Sequence, residues 1–394
     1  MQPIYLDNNA TTMVAPEVLE EMLPVLRDHY GNPSSMHSFG GSVGALVKKA
    51  RARTAEALSC RPEEIIFTSC GSEGDNTAIL SALRANPEKR HMVTTRVEHP
   101  AVLSLAKHLE TQGVAVTYLG VDAAGRLDLD ELRASLRKDT ALVSIMYANN
   151  ETGVVFPIPE IAAMVRERGI AIHTDAVQAV GKIPLSLTDM PVDYLTLSGH
   201  KLHAPKGVGA LYVRRGTPFR PFLIGGHQER GRRAGTENTP GIVALGRAME
   251  LAVAGIEDEN TRVKALRDRL EAGLVAAIPD SIVNGDPASR LPNTTSIAFK
   301  YVEGEAILLL LDTFGICASS GSACTSGSLE PSHVLRAMGV PFTFAHGSIR
   351  FSLSRYTTDA EIDTVLREMP GVIERLRKMS PFSAATDEKP SCTC

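Results

Sequence analysis

Lys201 follows the apolar run Tyr194-Leu195-Thr196-Leu197 and a Ser198-Gly199-His200 turn. A lysine so placed sits where a strand leaves a sheet, at the edge where open α/β sheets hold their ligands. Out of water its amine gives up its proton more readily, and it can then hold an aldehyde. A second run ends in His173-Thr174-Asp175-Ala176-Val177-Gln178, bringing a carboxylate and an amide to the same kind of edge. A third stretch, Ala318 to Pro331, surrounds Cys324 with glycine, serine, alanine and threonine. Small neighbours give an accessible thiol that can swing toward a bound substrate and attack it, unlike the usual buried cysteine. Taken singly, Lys201 reads as a surface charge and Asp175 as a helix cap. Only the combination is informative.

That combination suits pyridoxal 5'-phosphate, whose aldehyde needs an amine and whose ring nitrogen stays protonated beside a carboxylate. Gln178 can donate to the ring's phenolic oxygen. Ser69-Cys70-Gly71-Ser72-Glu73, after the strand-like run Ile65 to Thr68, offers backbone N–H groups and a hydroxyl to a phosphate at a helix start. An ordinary capped helix would look the same. In Val97-Glu98-His99-Pro100 an imidazole precedes a helix and can stack on a flat ring or shuttle a proton, although a lone histidine is more often structural. Asn150, in Ala148-Asn149-Asn150-Glu151, can meet both ring and substrate, and Arg350 can clamp a carboxylate or serve a structural ion pair. The basic, glycine-rich segment Gly225 to Asn238 can hold phosphate across a subunit interface, or simply be solvated. Cys60 and Cys70 read as spectators, Cys317 as core, and Cys392 and Cys394 as thiols in a loose tail.

The elements that must position these residues follow from periodicity. Seven apolar runs, near residues 65–68, 91–95, 114–118, 141–146, 170–173, 194–197 and 208–213, alternate mostly with amphipathic helical sequence. That rhythm predicts an α/β fold with a mainly parallel seven-stranded sheet. Helical sequence from Gly241 to Ala277 then leads to a smaller α+β unit, with strands near 295–299 and 348–353 and a last helix opened by the capping box Thr358-Asp359-Ala360-Glu361. The expected organisation is an N-terminal arm over residues 1–14 joining the small domain, a large domain over 15–258, a small domain over 259–379 carrying the Cys324 loop, and a flexible tail over 380–394.

With 41 Lys and Arg against 45 Asp and Glu, the net charge of −4 gives no reason to expect nucleic acid or an anionic membrane as partner. The Met1 to Asn9 stretch lacks a signal pattern, so the expected compartment is the cytoplasm. Six cysteines without paired spacing argue against a disulfide scaffold or a zinc site.

Three stretches taken together resemble the cysteine desulfurases, which are pyridoxal-phosphate enzymes of aminotransferase class V with the fold type I architecture. They are Tyr5 to Thr12, Ser198-Gly199-His200-Lys201 and Ser319 to Pro331. Ser198 to Gly209 and Gly225 to Asn238 look more like the nitrogen-fixation (NifS) type than the housekeeping one. The resemblance covers nearly the whole chain up to about residue 380. It implies that Lys201 binds the cofactor aldehyde, Asp175 pairs with the ring nitrogen, Gln178 meets the phenolic oxygen and His99 stacks on the ring. Gly71, Ser72, Ser198 and His200 would hold the phosphate, with Thr236 reaching over from the partner of a homodimer. Asn150 and Arg350 would hold the carboxylate of L-cysteine, and Cys324 would take its sulfur as a persulfide for an iron-sulfur scaffold protein, in this type the one serving nitrogenase. Ser72 departs from the family's usual threonine but keeps the hydroxyl. The sequence leaves open whether Cys324 also acts as a transient iron-sulfur ligand shared with that scaffold. Another class V reaction, such as transamination or selenocysteine lysis, would keep Lys201 and Asp175 without needing Cys324. A scaffold that lost its chemistry would need none of them.

Overall fold

The computed structural model describes residues 3–320 and 331–380. Its centre is a seven-stranded sheet made of β2 (Ile65–Thr68), β3 (His91–Thr95), β4 (Ala115–Leu119), β5 (Thr140–Ser144), β6 (Ala171–Asp175), β7 (Tyr194–Ser198) and β8 (Gly209–Val213); the first strand of the chain, β1 (Ile4–Tyr5), lies elsewhere. The order is β2-β8-β7-β6-β5-β3-β4. Strands β3 to β7 are mutually parallel, and β8 runs against both β7 and β2. The reversal has a local cause. The stretch between Ser198 and Gly209 is too short for a crossover helix, so the chain must turn back on itself.

Alternation along each strand feeds two apolar layers. Ile65, Phe67, Leu195, Leu197, Ala210 and Tyr212 point into one layer, and Ile66, Tyr194, Leu211 and Val213 into the other. Both faces are covered by helices. Ile158–Glu167 and Thr239–Ala254 contribute Ile161, Val165, Leu245 and Ala248 to the first layer; Gly71–Ala85 and Pro100–Thr111 contribute Ile79, Ala82, Val102 and Leu109 to the second. Burial on both faces explains why the strands read as continuous apolar runs rather than alternating ones.

A second sheet, in the order β12-β10-β9, joins β9 (Ser281–Val283), β10 (Thr294–Phe299) and β12 (Ser348–Ser352) in antiparallel register, with Ser296 opposite Arg350. It packs against the helices Lys264–Ala277 and Asp359–Met379 through Leu270, Leu274, Ile297, Phe351, Ile362 and Met369. Strand β1 pairs in parallel with β11 (Ile316–Cys317), and Leu6 enters this same core. The expected capping box is present: Glu361 N donates to Thr358 Oγ1, and Glu361 Oε2 accepts from Thr358 N at 2.8 Å.

The long helical stretch expected near residue 241 is not one rod. Thr239–Ala254 and Ile256–Ala277 meet at 52°, and a π turn spans Glu259–Val263. Among the described residues no single helix is long and apolar enough to cross a membrane.

Candidate active site

The expected residues converge on the C-terminal edge of the parallel strands, in a cleft of about 1150 Å³ counting its solvent-open part. Loops leaving that edge combine exposed backbone donors with freedom of direction, which is why ligands bind there. The chain leaves β2 through Ser69 and Cys70 into the helix Gly71–Ala85, and Cys70, as N-cap residue, makes no side-chain capping bond. Cys70, Gly71 and Ser72 line the cleft, so Cys70 is a wall residue rather than a distant spectator. From the end of β7, Ser198 turns a buried hydroxyl into the cleft that finds no hydrogen-bond partner among the described residues. An uncapped helix start beside an unpartnered hydroxyl has the donors a phosphate needs.

Lys201 follows on the short helical turn Gly199–Lys201. Its Nζ donates to the carbonyl oxygens of Asn9 at 2.5 Å and Ala10 at 2.6 Å, so the N-terminal arm reaches across the cleft to hold the amine. His200 Nδ1 lies 3.2 Å from Thr11 Oγ1 on the same arm. Burial, reinforced by Lys201 and Lys206, pushes His200 down to about 4 and keeps it neutral.

Asp175 ends β6, one strand from Lys201. Its Oδ1 accepts from Val177 N at 2.9 Å, so the local turn and the cleft use the same carboxylate. Burial, with repulsion from Asp75, raises Asp175 to about 7, and His99 opposes the rise. Asp75 itself, buried on the helix Gly71–Ala85, is raised to about 7 by desolvation. The neighbouring His173 supplies no compensating cation: burial lowers it to about 4, and it lies between Ser144 Oγ at 2.8 Å and Thr196 Oγ1 at 3.0 Å. A protonated ring nitrogen beside Asp175 would restore the carboxylate, because an opposite charge favours the ionised form.

His99 is the N-cap of the helix Pro100–Thr111, and its Nδ1 accepts from Ala101 N at 3.1 Å. That bond assigns the ring proton to Nε2, so the neutral imidazole offers the cleft a donor. Burial first, then Lys201, hold its pKa down, while Asp175 opposes. Gln178 sends Nε2 to the Asn9 carbonyl at 2.9 Å.

Arg350, from the second sheet, is 2 % exposed and pairs with Asp7 Oδ1 at 2.6 Å; it also donates to the Asn150 carbonyl at 2.9 Å. Both Asn150 and Arg350 line the cleft. Thr236 does not. It is exposed in a separate depression with Phe67, Thr68 and Arg233. Cys324, Cys392 and Cys394 lie outside the described residues. Backbone bonds between Ser319 and Arg350 hold one flank of the Cys324 segment beside the cleft. At the other flank, Ser332 donates to Glu151 at 2.5 Å and His333 lines the cleft wall. Cys317, expected in the core, is half-buried, because its strand turns Ile316 inward instead.

The sequence reading missed His333, Glu151 and Lys182. The first two meet in the cleft wall without any spacing that links them in sequence. Lys182 is 6 % exposed behind Gln178.

The sequence pattern of the family described as aminotransferase class-V matches residues 4–365. The chain is 67 % identical over 382 residues to a protein of Trichormus azollae named cysteine desulfurase, covering 97 % of this chain and 96 % of that one. It is 60 % identical over 383 residues to cysteine desulfurase NifS of Azotobacter vinelandii, covering 97 % and 95 %. A solved structure titled NifS-like protein superposes with a TM-score of 0.90 at 41 % identity, covering 95 % of this chain and all of that one. An edge cleft built from Lys201, Asp175 and Arg350, with a family pattern running through both sheets, leads to one assignment: the chain belongs to the aminotransferase class-V family.

Proposed function

We propose that this chain is a cysteine desulfurase that uses pyridoxal phosphate to convert L-cysteine to L-alanine, leaving the sulfur as a persulfide on Cys324. The observation that carries the reading is the meeting of Lys201, Asp175 and Arg350, from two sheets, in one cleft. The residues fit the cofactor: Ser198 Oγ is buried and unpartnered, the helix at Gly71 starts without a side-chain cap, and Asp175 lacks the cation that would ionise it. When bound, pyridoxal phosphate supplies an electron sink for the charge left at the substrate Cα.

The chain's own groups do the rest. Lys201 would hold the cofactor's aldehyde and, as a free amine, would take the substrate's Cα proton; the arm carbonyls of Asn9 and Ala10 hold that amine in reach. Asp175 keeps the ring nitrogen protonated. Gly71, Ser72, Ser198 and His200 hold phosphate. His99 would lie against the ring, with its Nε2–H free for the cleft. Asn150 and Arg350 take the substrate carboxylate, for which Asp7 is the competing anion. The Cys324 thiolate attacks the substrate sulfur, the carbon–sulfur bond breaks, and a proton replaces sulfur on the carbon that becomes alanine's methyl group. Cys324 comes four residues after Ser320, a span of at most ~14 Å, and Ser319 is bonded to Arg350.

We further assign a homodimer in which Thr236 of each subunit serves the other's phosphate site, and delivery of the persulfide to an iron-sulfur scaffold, with nitrogenase as the client. The name of the Azotobacter vinelandii relative supports that client. The test is intact mass of wild type and Cys324→Ala after L-cysteine without reductant, with alanine assayed in the same tubes. Alanine together with one added sulfur on the wild type alone is expected. Alanine formed without Cys324-dependent sulfur would overturn the persulfide step, and turnover by Lys201→Ala would overturn the whole scheme.

A further inference from the structure

Lys182 is an uncommon residue to find buried, because an ammonium group leaves water at a cost of several kcal/mol unless its donors are used. Here they are used. Nζ donates to Gln178 Oε1 at 2.6 Å and to Asn9 Oδ1 at 3.1 Å. The chain delivers the side chain inward by turning at Gly181, whose φ is +74°; a Cβ there would come within 2.7 Å of Ala252 Cβ and 2.8 Å of Leu202 Cδ2. Behind Lys182 is a small pocket, about 310 Å³ counting its solvent-open part, also lined by Glu259, His203 and Arg355. Burial lowers Lys182 to about 7, Glu259 opposes the fall, and Lys201 and Arg350 add to it.

A lysine amine in this place has a directional consequence. A primary amide can be placed with its oxygen and nitrogen exchanged, and only the hydrogen-bond partners decide between the two. As an ammonium Lys182 donates and never accepts, and as a neutral amine it still carries two N–H donors for the two oxygens it faces. Lys182 therefore decides two amides at once. With Oε1 of Gln178 held from behind, the front of that amide is its NH2 group, one hydrogen of which goes to the Asn9 carbonyl at 2.9 Å. With Oδ1 of Asn9 held by Lys182 and by Asn293 Nδ2 at 3.2 Å, Asn9 Nδ2 turns to Thr294 Oγ1 and the Asn150 carbonyl.

We propose that Lys182 is a positioning residue of the ring-binding wall: by donating to the amide oxygens of Gln178 and Asn9 it makes Gln178 present N–H to the cleft, where it serves the phenolic oxygen of pyridoxal phosphate. This rests on the functional reading above. Lys182 touches neither substrate nor cofactor, and its effect passes through Gln178.

The experiment compares wild type, Lys182→Met, Gln178→Ala and the double variant, each stripped of cofactor and titrated with pyridoxal phosphate. Lys182→Met should bind about tenfold more weakly, the loss expected for one misdirected hydrogen bond. The pH midpoint of the bound cofactor's visible band should rise by about one unit, because the phenolic oxygen loses a donor. In the Gln178→Ala background the same substitution should change affinity less than about twofold, since the group it acts through is gone. Lys182→Arg, which keeps the donors, should restore the midpoint. A circular dichroism melt of the cofactor-free proteins checks folding, and Lys182→Gln replaces Lys182→Met in every comparison should that variant not fold. Equal losses with and without Gln178 would reduce Lys182 to a structural residue and overturn the inference, as would wild-type affinity and midpoint in Lys182→Met. A wild type that takes up no pyridoxal phosphate would overturn the functional reading together with it; binding by wild type and an unaltered Lys182→Met overturns the inference alone.

Discussion

Asp175 shows how a side chain can be arranged for a ligand at the expense of the empty protein. Its carboxyl is raised from the ordinary aspartate value of 3.8 to about 7 in the folded chain, chiefly because it is buried. Below about pH 4 both the folded and unfolded forms hold the proton and nothing is lost. Between about pH 4 and 7 the unfolded chain ionises first, so stability falls as pH rises; above 7 the full cost is present. Asp175→Asn removes that cost. The cofactor-free variant should therefore melt higher than wild type by a margin that grows from pH 4 to pH 7 and then levels, while its bound cofactor loses activity. A margin independent of pH would show that burial does not set the Asp175 proton. At this scale the sequence was partly legible. Lys201 and Asp175 declare themselves because each ends an apolar run, whereas Lys182, in the short turn Gln178 to Pro184, has no periodicity to distinguish it from a surface charge. His333 was hidden for a different reason: only the fold brings it opposite His99.

The strands that deliver these residues meet under tight steric conditions, and Gly209 is the sharpest example. It opens β8 directly beside Ser198, and a Cβ there would lie 2.7 Å from the Leu197 carbonyl oxygen and 3.0 Å from Thr68 Oγ1. Backbone cannot yield as a flexible side chain does. Gly209→Ala should cost about 1–3 kcal/mol in chemical denaturation and weaken pyridoxal phosphate binding by spreading β7 from β8. A loss of stability without loss of affinity would place the strain away from the phosphate site. Long buried strands such as β3 and β5 were legible as apolar runs. The pairing of β1 with β11 was not, because strands of two residues carry no alternation to read. The break after Ala254 was missed since helical sequence continues through it; the bend comes from two helices packing on different cores, Thr239–Ala254 on the large sheet and Lys264–Ala277 on the small one.

For the whole molecule, the surface left by the single chain bears on the proposed homodimer. Leu19, Leu23 and Leu26 repeat on one face of the helix Pro16–Arg27 at 44, 50 and 52 % exposure, and Ile224 stands 85 % exposed next to the glycine-rich segment that carries Thr236. A stripe of that spacing is normally covered. If each cleft is completed by the other subunit's Thr236, two inactive proteins should complement one another. Lys201→Ala and Thr236→Asp, unfolded and refolded together, would form mixed dimers with both lesions in one cleft and none in the other. Random pairing then gives about one quarter of wild-type activity. No recovery would assign Thr236 to its own chain or to no cleft at all.

The N-terminal arm adds a requirement of timing. Asn9 N donates to Ser352 Oγ across 343 residues of sequence, and the carbonyl of the same Asn9 holds Lys201. During synthesis at ~5–20 residues per second the arm waits roughly 20–70 s for that partner. Until β12 emerges from the ribosome, the nascent chain has a lysine but no finished place to keep it. Capture of pyridoxal phosphate should therefore wait until β12 has emerged, and ribosome-bound chains stalled before Ser348 should remain colourless.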